Sequence, residues 1–66
     1  MKIGEFKVEC VFYNKKQNIR IPMCQIFSDK AHVDCWVEWL KNQDEIVTIT
    51  VTKQAKYGEE TILYWW

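Results

Sequence analysis

The chain has 66 residues, of which 48% are hydrophobic, 27% charged and 15% aromatic, with only two glycines and one proline. This length allows a single domain over residues 1–66, and the composition excludes disordered, collagen-like and linker proteins. Nine lysine and arginine side chains balance nine aspartate and glutamate side chains, which excludes a global field that would steer nucleic acid or an anionic membrane.

The first predicted element is a strand that begins at Phe6. Its apolar residues Phe6, Val8, Cys10 and Phe12 alternate with a second set of residues at the odd-numbered positions. This is the period of a strand with one buried face. Tyr13 belongs to the second set, so we expect its ring on the opposite face of the sheet.

The second predicted element is a strand over residues 19–27, after a polar break of hairpin length over residues 14–18. The alternation of this strand is interrupted at Pro22, and a β-bulge at Pro22-Met23 would restore it. Because proline has no backbone N–H to donate, we expect the strand at an edge of the sheet.

The third predicted element is a helix with Ser28 or Asp29 as its N-cap and an end near Asn42. Apolar residues recur in it at positions i, i+3, i+4 and i+7, which is the spacing of a stripe that faces a core. The stripe consists of Val33, Trp36, Val37 and Leu40.

The two tryptophans of this helix differ in position. Trp36 lies within the stripe and is expected in the core, whereas Trp39 lies beside His32 on the flank of the stripe. Glu38 lies on the solvated side. Tryptophan is enriched at interface centres because its rigid ring buries a large area at a small entropic cost. We therefore expect Trp39 to contact a partner, with His32 and Glu38 nearby.

Two further strands complete the predicted sheet. Residues 45–53 read E-I-V-T-I-T-V-T-K, a β-branched and alternating segment. Val47, Ile49 and Val51 should face the core. A turn containing Gly58 leads to a last strand over residues 61–66. Ile62, Tyr64 and Trp66 should face the core, and Trp65 should face away from it.

The element order predicts an α+β fold, β-β-α-β-β, in which one helix packs on one face of a four-stranded antiparallel sheet of strand order 2-1-3-4. The other face should present Val11, Tyr13, Leu63 and Trp65. A half-apolar sheet face on so short a chain is a candidate interface. We expect a homodimer through this face or through the last edge strand.

The three cysteines and the single histidine are the candidate metal ligands and nucleophiles. Cys10, Cys24, Cys35 and His32 could supply a zinc site, but no two cysteines have the spacing of a compact ligand pair. A cysteine nucleophile with His32 as base lacks a glycine-rich oxyanion turn. We expect reduced core thiols, no catalytic residue, no metal and no cofactor. Reduced thiols and the lack of an apolar leader or spanning run favour a cytoplasmic protein without membrane contact.

Nucleic-acid binding is the alternative function. The hairpin tip over residues 14–18 with Arg20 could contact phosphates, while Tyr13 or Trp65 stacks on bases. Lys53, Lys56 and Tyr57 of the second turn could contribute to the same contact. The zero net charge instead favours two solvated turns.

The order of elements over residues 6–53 carries a resemblance. A hairpin, a helix, the motif Asp44-Glu45-Ile46 and a long strand follow one another, which resembles the small phage-encoded inhibitors of uracil-DNA glycosylase. The resemblance implies a ββαβ homodimer that occupies the DNA-binding cleft of the enzyme, with contacts from Trp36, Glu38 and Trp39. The chain differs in its zero net charge and its fourth strand.

These observations predict a non-enzymatic protein-binding module, namely a phage or mobile-element inhibitor that occludes a host enzyme. The predicted partners are a host protein and a second copy of the chain. The predicted partner-binding residues are Trp39, Trp65, Tyr13, His32 and Glu38.

Overall fold

The computed structural model describes residues 1–66 and contains four strands and one helix. The elements are β1 (Phe6–Asn14), β2 (Ile19–Phe27), α1 (Lys30–Lys41), β3 (Ile46–Ala55) and β4 (Gly58–Trp65). The strands form one antiparallel sheet in the order β2-β1-β3-β4, with α1 on one face. This arrangement confirms the predicted α+β topology.

The core lies between α1 and the two central strands, where apolar residues from both layers are buried. Its members are Phe6, Val8, Cys10, Val33, Val37, Leu40, Ile46, Ile49 and Val51. The helix begins where predicted, because the Asp29 carboxylate accepts a hydrogen bond of 2.9 Å from the backbone N–H of Ala31. It ends at Lys41 with Asn42 as C-cap. No helix combines the length and apolar character that crossing a membrane would require.

The β1–β2 hairpin is regular throughout. Its register runs without interruption from the pair Phe6–Phe27 to the pair Asn14–Ile19, so the bulge predicted at Pro22-Met23 is wrong. The alternation of β2 is irregular for a different reason, since this edge strand carries apolar side chains on both faces and is exposed along nearly its whole length.

The pairing of β3 with β1 contains one bulge. Val11 pairs with Thr48 and Phe12 pairs with Ile46, which leaves Val47 as the extra residue. Ile46 is buried and Val47 is exposed. The prediction that Val47 faces the core is therefore wrong, and Ile46 takes its place.

A second bulge lies between β3 and β4. Thr52 pairs with Thr61 and Val51 pairs with Leu63, so Ile62 has no partner across the ladder. Each side-chain direction after this residue is reversed relative to a regular strand, because alternation has a period of two. Ile62 was predicted in the core but is 42% exposed, and the residues after it lie on the faces opposite to those predicted.

The bulge at Ile62 places Leu63 and Trp65 on the helix side, where both are half-buried against the core. Tyr64 pairs with Thr50 on the open face and is 62% exposed. The predicted faces of all three residues are wrong. Trp66 was also predicted in the core but is 84% exposed, since it follows the last paired residue of β4.

Candidate functional site

One flank of α1 and the end of β2 form an exposed aromatic surface. We call it the aromatic flank, and it consists of Phe27, His32, Cys35, Trp36 and Trp39. Positions 32, 35, 36 and 39 recur every three or four residues, so the helical period places their side chains on one side. These residues line an open depression of about 330 Å³.

The two indoles of the aromatic flank are stacked. The ring centroids of Trp36 and Trp39 are 5.1 Å apart and their planes differ by 12°. The Phe27 ring lies 6.4 Å from that of Trp36, tilted by 48°. Trp36 is half-buried against the core rather than enclosed in it, whereas Trp39 is 49% exposed. Trp36 therefore packs between the core and Trp39 and fixes the position of the Trp39 ring. The predicted position of Trp39 on the flank of the helix, beside His32, is confirmed.

Glu38 lies on the other side of α1. It lines a groove between the helix and β4, together with Lys41 and Ile62. Neither Trp39 nor His32 lines this groove. The structure therefore does not bring Glu38 together with the aromatic flank, and the predicted group of five site residues is divided.

Tyr13 is half-buried at the tip of the β1–β2 hairpin and is engaged within the chain. Its hydroxyl donates a hydrogen bond of 2.6 Å to Asn18 Oδ1, and the Arg20 guanidinium lies 5.8 Å from its ring centroid. Asn18 has a φ of 52°, in the left-handed region that asparagine tolerates. The ring of Tyr13 thus stabilises the hairpin turn.

Trp65 does not lie on the open face, so it cannot act there with Tyr13. The exposed aromatic residue of β4 on that face is Tyr64, which the regular alternation of the sequence assigned to the core. No signal within β4 distinguishes the two arrangements, because the bulge is defined by pairing with β3.

A second depression of about 480 Å³ lies at the hairpin tip. Lys15 and Lys16 line it together with Asp44 and Glu45, around apolar side chains that include Ile21. None of these four charged residues forms an ion pair within the chain. The depression therefore carries both signs of charge.

The cysteines occupy three different environments. Cys10 is buried, and burial raises the pKa of its thiol, with a smaller contribution from the charge of Cys24. Cys24 and Cys35 are exposed, so the prediction that all three are core thiols is wrong for these two. Cys24 pairs with Glu9 on the open face, and Cys35 lies on the aromatic flank. No group of three or more His, Cys, Asp or Glu side chains could hold a metal ion.

Sequence reasoning missed the edge of β2 as a candidate surface. Ile19, Ile21 and Met23 are exposed on its helix side, and Ile26 is exposed on its open side. The signal was the presence of apolar residues at both odd and even positions, which indicates an edge that is apolar on both faces.

Comparison with known proteins gave no match to a family model, to a curated protein or to a solved structure.

Proposed function

We propose that the chain is a non-enzymatic protein-binding module that acts as a homodimer and contacts its partner through the aromatic flank. The observation that carries this proposal is Trp39, an indole that is 49% exposed and stacked on a half-buried Trp36. A ring held in place before binding loses little conformational entropy on binding.

The exposed part of Trp39 is large enough to anchor a complex. A tryptophan buries up to about 250 Å², so half exposure leaves roughly 100 Å² for a partner to cover, worth about 2.5 kcal/mol. This is the range of an interface hot spot. His32 and Cys35 border the indole and supply polar contacts at the rim of the same surface.

Nucleic-acid binding is less well supported by the arrangement of charge. Lys15 and Lys16 are the cations of the hairpin tip, but Asp44 and Glu45 share their depression. These carboxylates would repel a phosphate backbone and so offset the attraction of the two lysines. A protein surface, which carries both signs, fits this arrangement better.

The target class we propose is a host enzyme that a phage or mobile-element inhibitor occludes. Uracil-DNA glycosylase is the first enzyme to test, because the chain has the hairpin, helix and long strand order on which the resemblance rests. Occlusion requires no chemistry from the inhibitor, so the proposal assigns no catalytic residue.

The test is affinity purification from the native host with three baits: the unaltered chain, Trp39→Ala and Tyr57→Ala. Tyr57 is exposed in the β3–β4 turn, outside the aromatic flank, and serves as the matched control. We expect a protein that the unaltered chain and Tyr57→Ala retain and that Trp39→Ala loses by at least tenfold, in line with about 2 kcal/mol at a hot spot. Purified uracil-DNA glycosylase is assayed in parallel for inhibition.

Two results would contradict the proposal. Equal retention of the same protein by all three baits would show that the aromatic flank is not the contact. Recovery of nucleic acid that is lost on joint substitution of Lys15 and Lys16 by alanine would support the alternative function instead.

A further inference from the structure

The free edge of β2 is long, regular and apolar. All nine of its residues pair with β1 without a bulge, and only Phe27 is half-buried. Natural sheet edges are usually interrupted by bulges, charges or short strands that prevent pairing with another chain. In β2 the interruptions are limited to Arg20 and Pro22.

The hydrogen bonds of β1 show which backbone groups of β2 face outwards. The Tyr13 N–H donates to the Glu45 carbonyl and the Glu5 carbonyl accepts from Gln54, so odd-numbered residues of β1 bond towards β3. Their partners in β2 therefore direct N–H and C=O groups to the free edge. These partners are Arg20, Pro22, Cys24 and Ile26.

The position of Pro22 follows from the same geometry. Its backbone nitrogen faces the free edge, so the missing N–H removes no bond from the β1–β2 ladder. It does remove one donor from any strand that would add at this edge. Pairing with another chain is therefore favourable only in a register that keeps Pro22 out of the central hydrogen-bonded pairs.

We propose that β2 pairs antiparallel with β2 of a second copy, with the two-fold axis at Gln25. In this register Cys24 of each copy exchanges both backbone hydrogen bonds with Ile26 of the other, and Pro22 lies opposite Ser28, outside the strand. A register centred on Cys24 would place Pro22 opposite Ile26 and leave a carbonyl without its donor. The inference deepens the self-association that is part of the proposed function and rests on it.

The side chains of β2 favour a second copy as the occupant. The register centred on Gln25 places Met23 of one copy opposite Phe27 of the other on the helix side, and Cys24 opposite Ile26 on the open side. The pairs on either side of Gln25 therefore each join two apolar side chains, as stabilising cross-strand pairs do. An antiparallel pair of identical strands is self-complementary, as a two-fold interface requires.

The edge of β4 is a poorer candidate for the same contact. The bulge at Ile62 interrupts its ladder, and Glu59 and Glu60 place two carboxylates at its start. Bulges and charges are the features that prevent edge pairing. The sequence-based expectation of a contact through the last strand is therefore replaced by one through β2.

Pairing about Gln25 also determines where the aromatic flanks lie. The two-fold axis is perpendicular to the sheet, so both helices lie on the same face of an eight-stranded sheet. Each aromatic flank includes Phe27 of β2 and is thus on the seam side of its helix. The two copies of Trp39 then border one groove above the seam.

Disulfide cross-linking tests this register. Gln25→Cys is made with Cys24→Ser and Cys35→Ser, so that Gln25→Cys supplies the only exposed thiol. A non-hydrogen-bonded pair has Cα atoms about 4.5 Å apart, which a disulfide can bridge. We expect this variant to form covalent dimers at least tenfold faster than a chain with Cys35→Ser alone, or than one with Glu60→Cys in the same serine background.

Sedimentation of the uncrosslinked chain supplies the second measurement. Cys24→Pro removes an N–H that faces the free edge and should weaken the dimer at least tenfold while circular dichroism stays unchanged. A chain that sediments as a monomer at all concentrations, or cross-linking as fast through Glu60→Cys, would overturn the proposal. A monomer would also contradict the homodimer part of the proposed function, whereas a dimer that cross-links as fast through Glu60→Cys would overturn the β2 pairing alone. The contact with a partner protein is tested separately, because Trp39→Ala should lose the partner and keep the dimer.

Discussion

Trp36 and Trp39 lie one helical turn apart on α1, and their different burial predicts different effects on stability. Trp36 packs against the core, so Trp36→Ala should lower the free energy of unfolding by about 3 kcal/mol, the lower end for a large aromatic residue because it is only half-buried. Trp39→Ala should cost about 1 kcal/mol, mainly the stacking on Trp36. Urea denaturation at one protein concentration measures both. Equal losses would mean that Trp39 is part of the core.

The three cysteines should react at different rates with iodoacetamide, because the thiolate is the reactive form. Burial shields Cys10 and raises the pKa of its thiol, whereas Cys24 and Cys35 are exposed. Mass spectrometry of the native chain at pH 8 should therefore show two rapid modifications and a third only after unfolding. Rapid modification at all three positions without denaturant would contradict the burial of Cys10.

The directions of the side chains in β4 depend on the single unpaired residue Ile62. Deletion of Ile62 should make the strand regular and leave Leu63 and Trp65 on the helix side, because Thr61 already faces the other way. We expect a folded variant that loses less than about 2 kcal/mol, since Ile62 is itself exposed.

The control for this prediction is deletion of Tyr64, which would turn Trp65 onto the open face and expose its indole. Tryptophan fluorescence and a thermal melt at low micromolar concentration compare the two variants. If deletion of Ile62 exposes an additional indole and deletion of Tyr64 does not, β4 has no bulge at Ile62.

The elements that sequence predicts well are those whose signals are local. The Asp29 cap and the stripe ending at Leu40 predict α1, and the β-branched alternation over residues 45–53 predicts β3. The bulges at Val47 and Ile62 depend on the neighbouring strand, so the segments that contain them carry no sign of either. The bulge predicted at Pro22 was wrong for the same reason. A regular strand tolerates proline where its backbone nitrogen faces an unpaired edge, and the sequence of β2 alone does not show which edge is unpaired.

The predictions for the candidate site residues also succeeded where the signal was local and failed where it depended on pairing between strands. Trp39 and His32 were correctly placed because a helical wheel needs only the spacing of residues along one element. Trp65 was misplaced because its direction depends on pairing across the sheet. Tyr13 was placed on the correct face, but its contacts with Asn18 and Arg20 depend on the turn between β1 and β2.

The proposed dimer joins two elongated chains that each measure 42 × 20 × 16 Å. A core of nine residues is small, and a single core of this size supplies only a few kcal/mol. Pairing through β2 would cover apolar side chains that the monomer leaves in contact with water, among them Met23 and Ile26. Each copy would therefore be more stable in the pair than alone.

The bulge at Ile62 also limits how far such an assembly can grow. A four-stranded sheet has two edges, and a chain that could add at both would polymerise into a fibre. Pairing through β2 closes after two copies, and the outer edges of the product are then both β4, irregular at Ile62 and acidic at Glu59 and Glu60. In the proposed assembly, an irregular β4 would therefore stop growth after two copies, so that a protein with an exposed apolar edge would form a dimer and not a fibre.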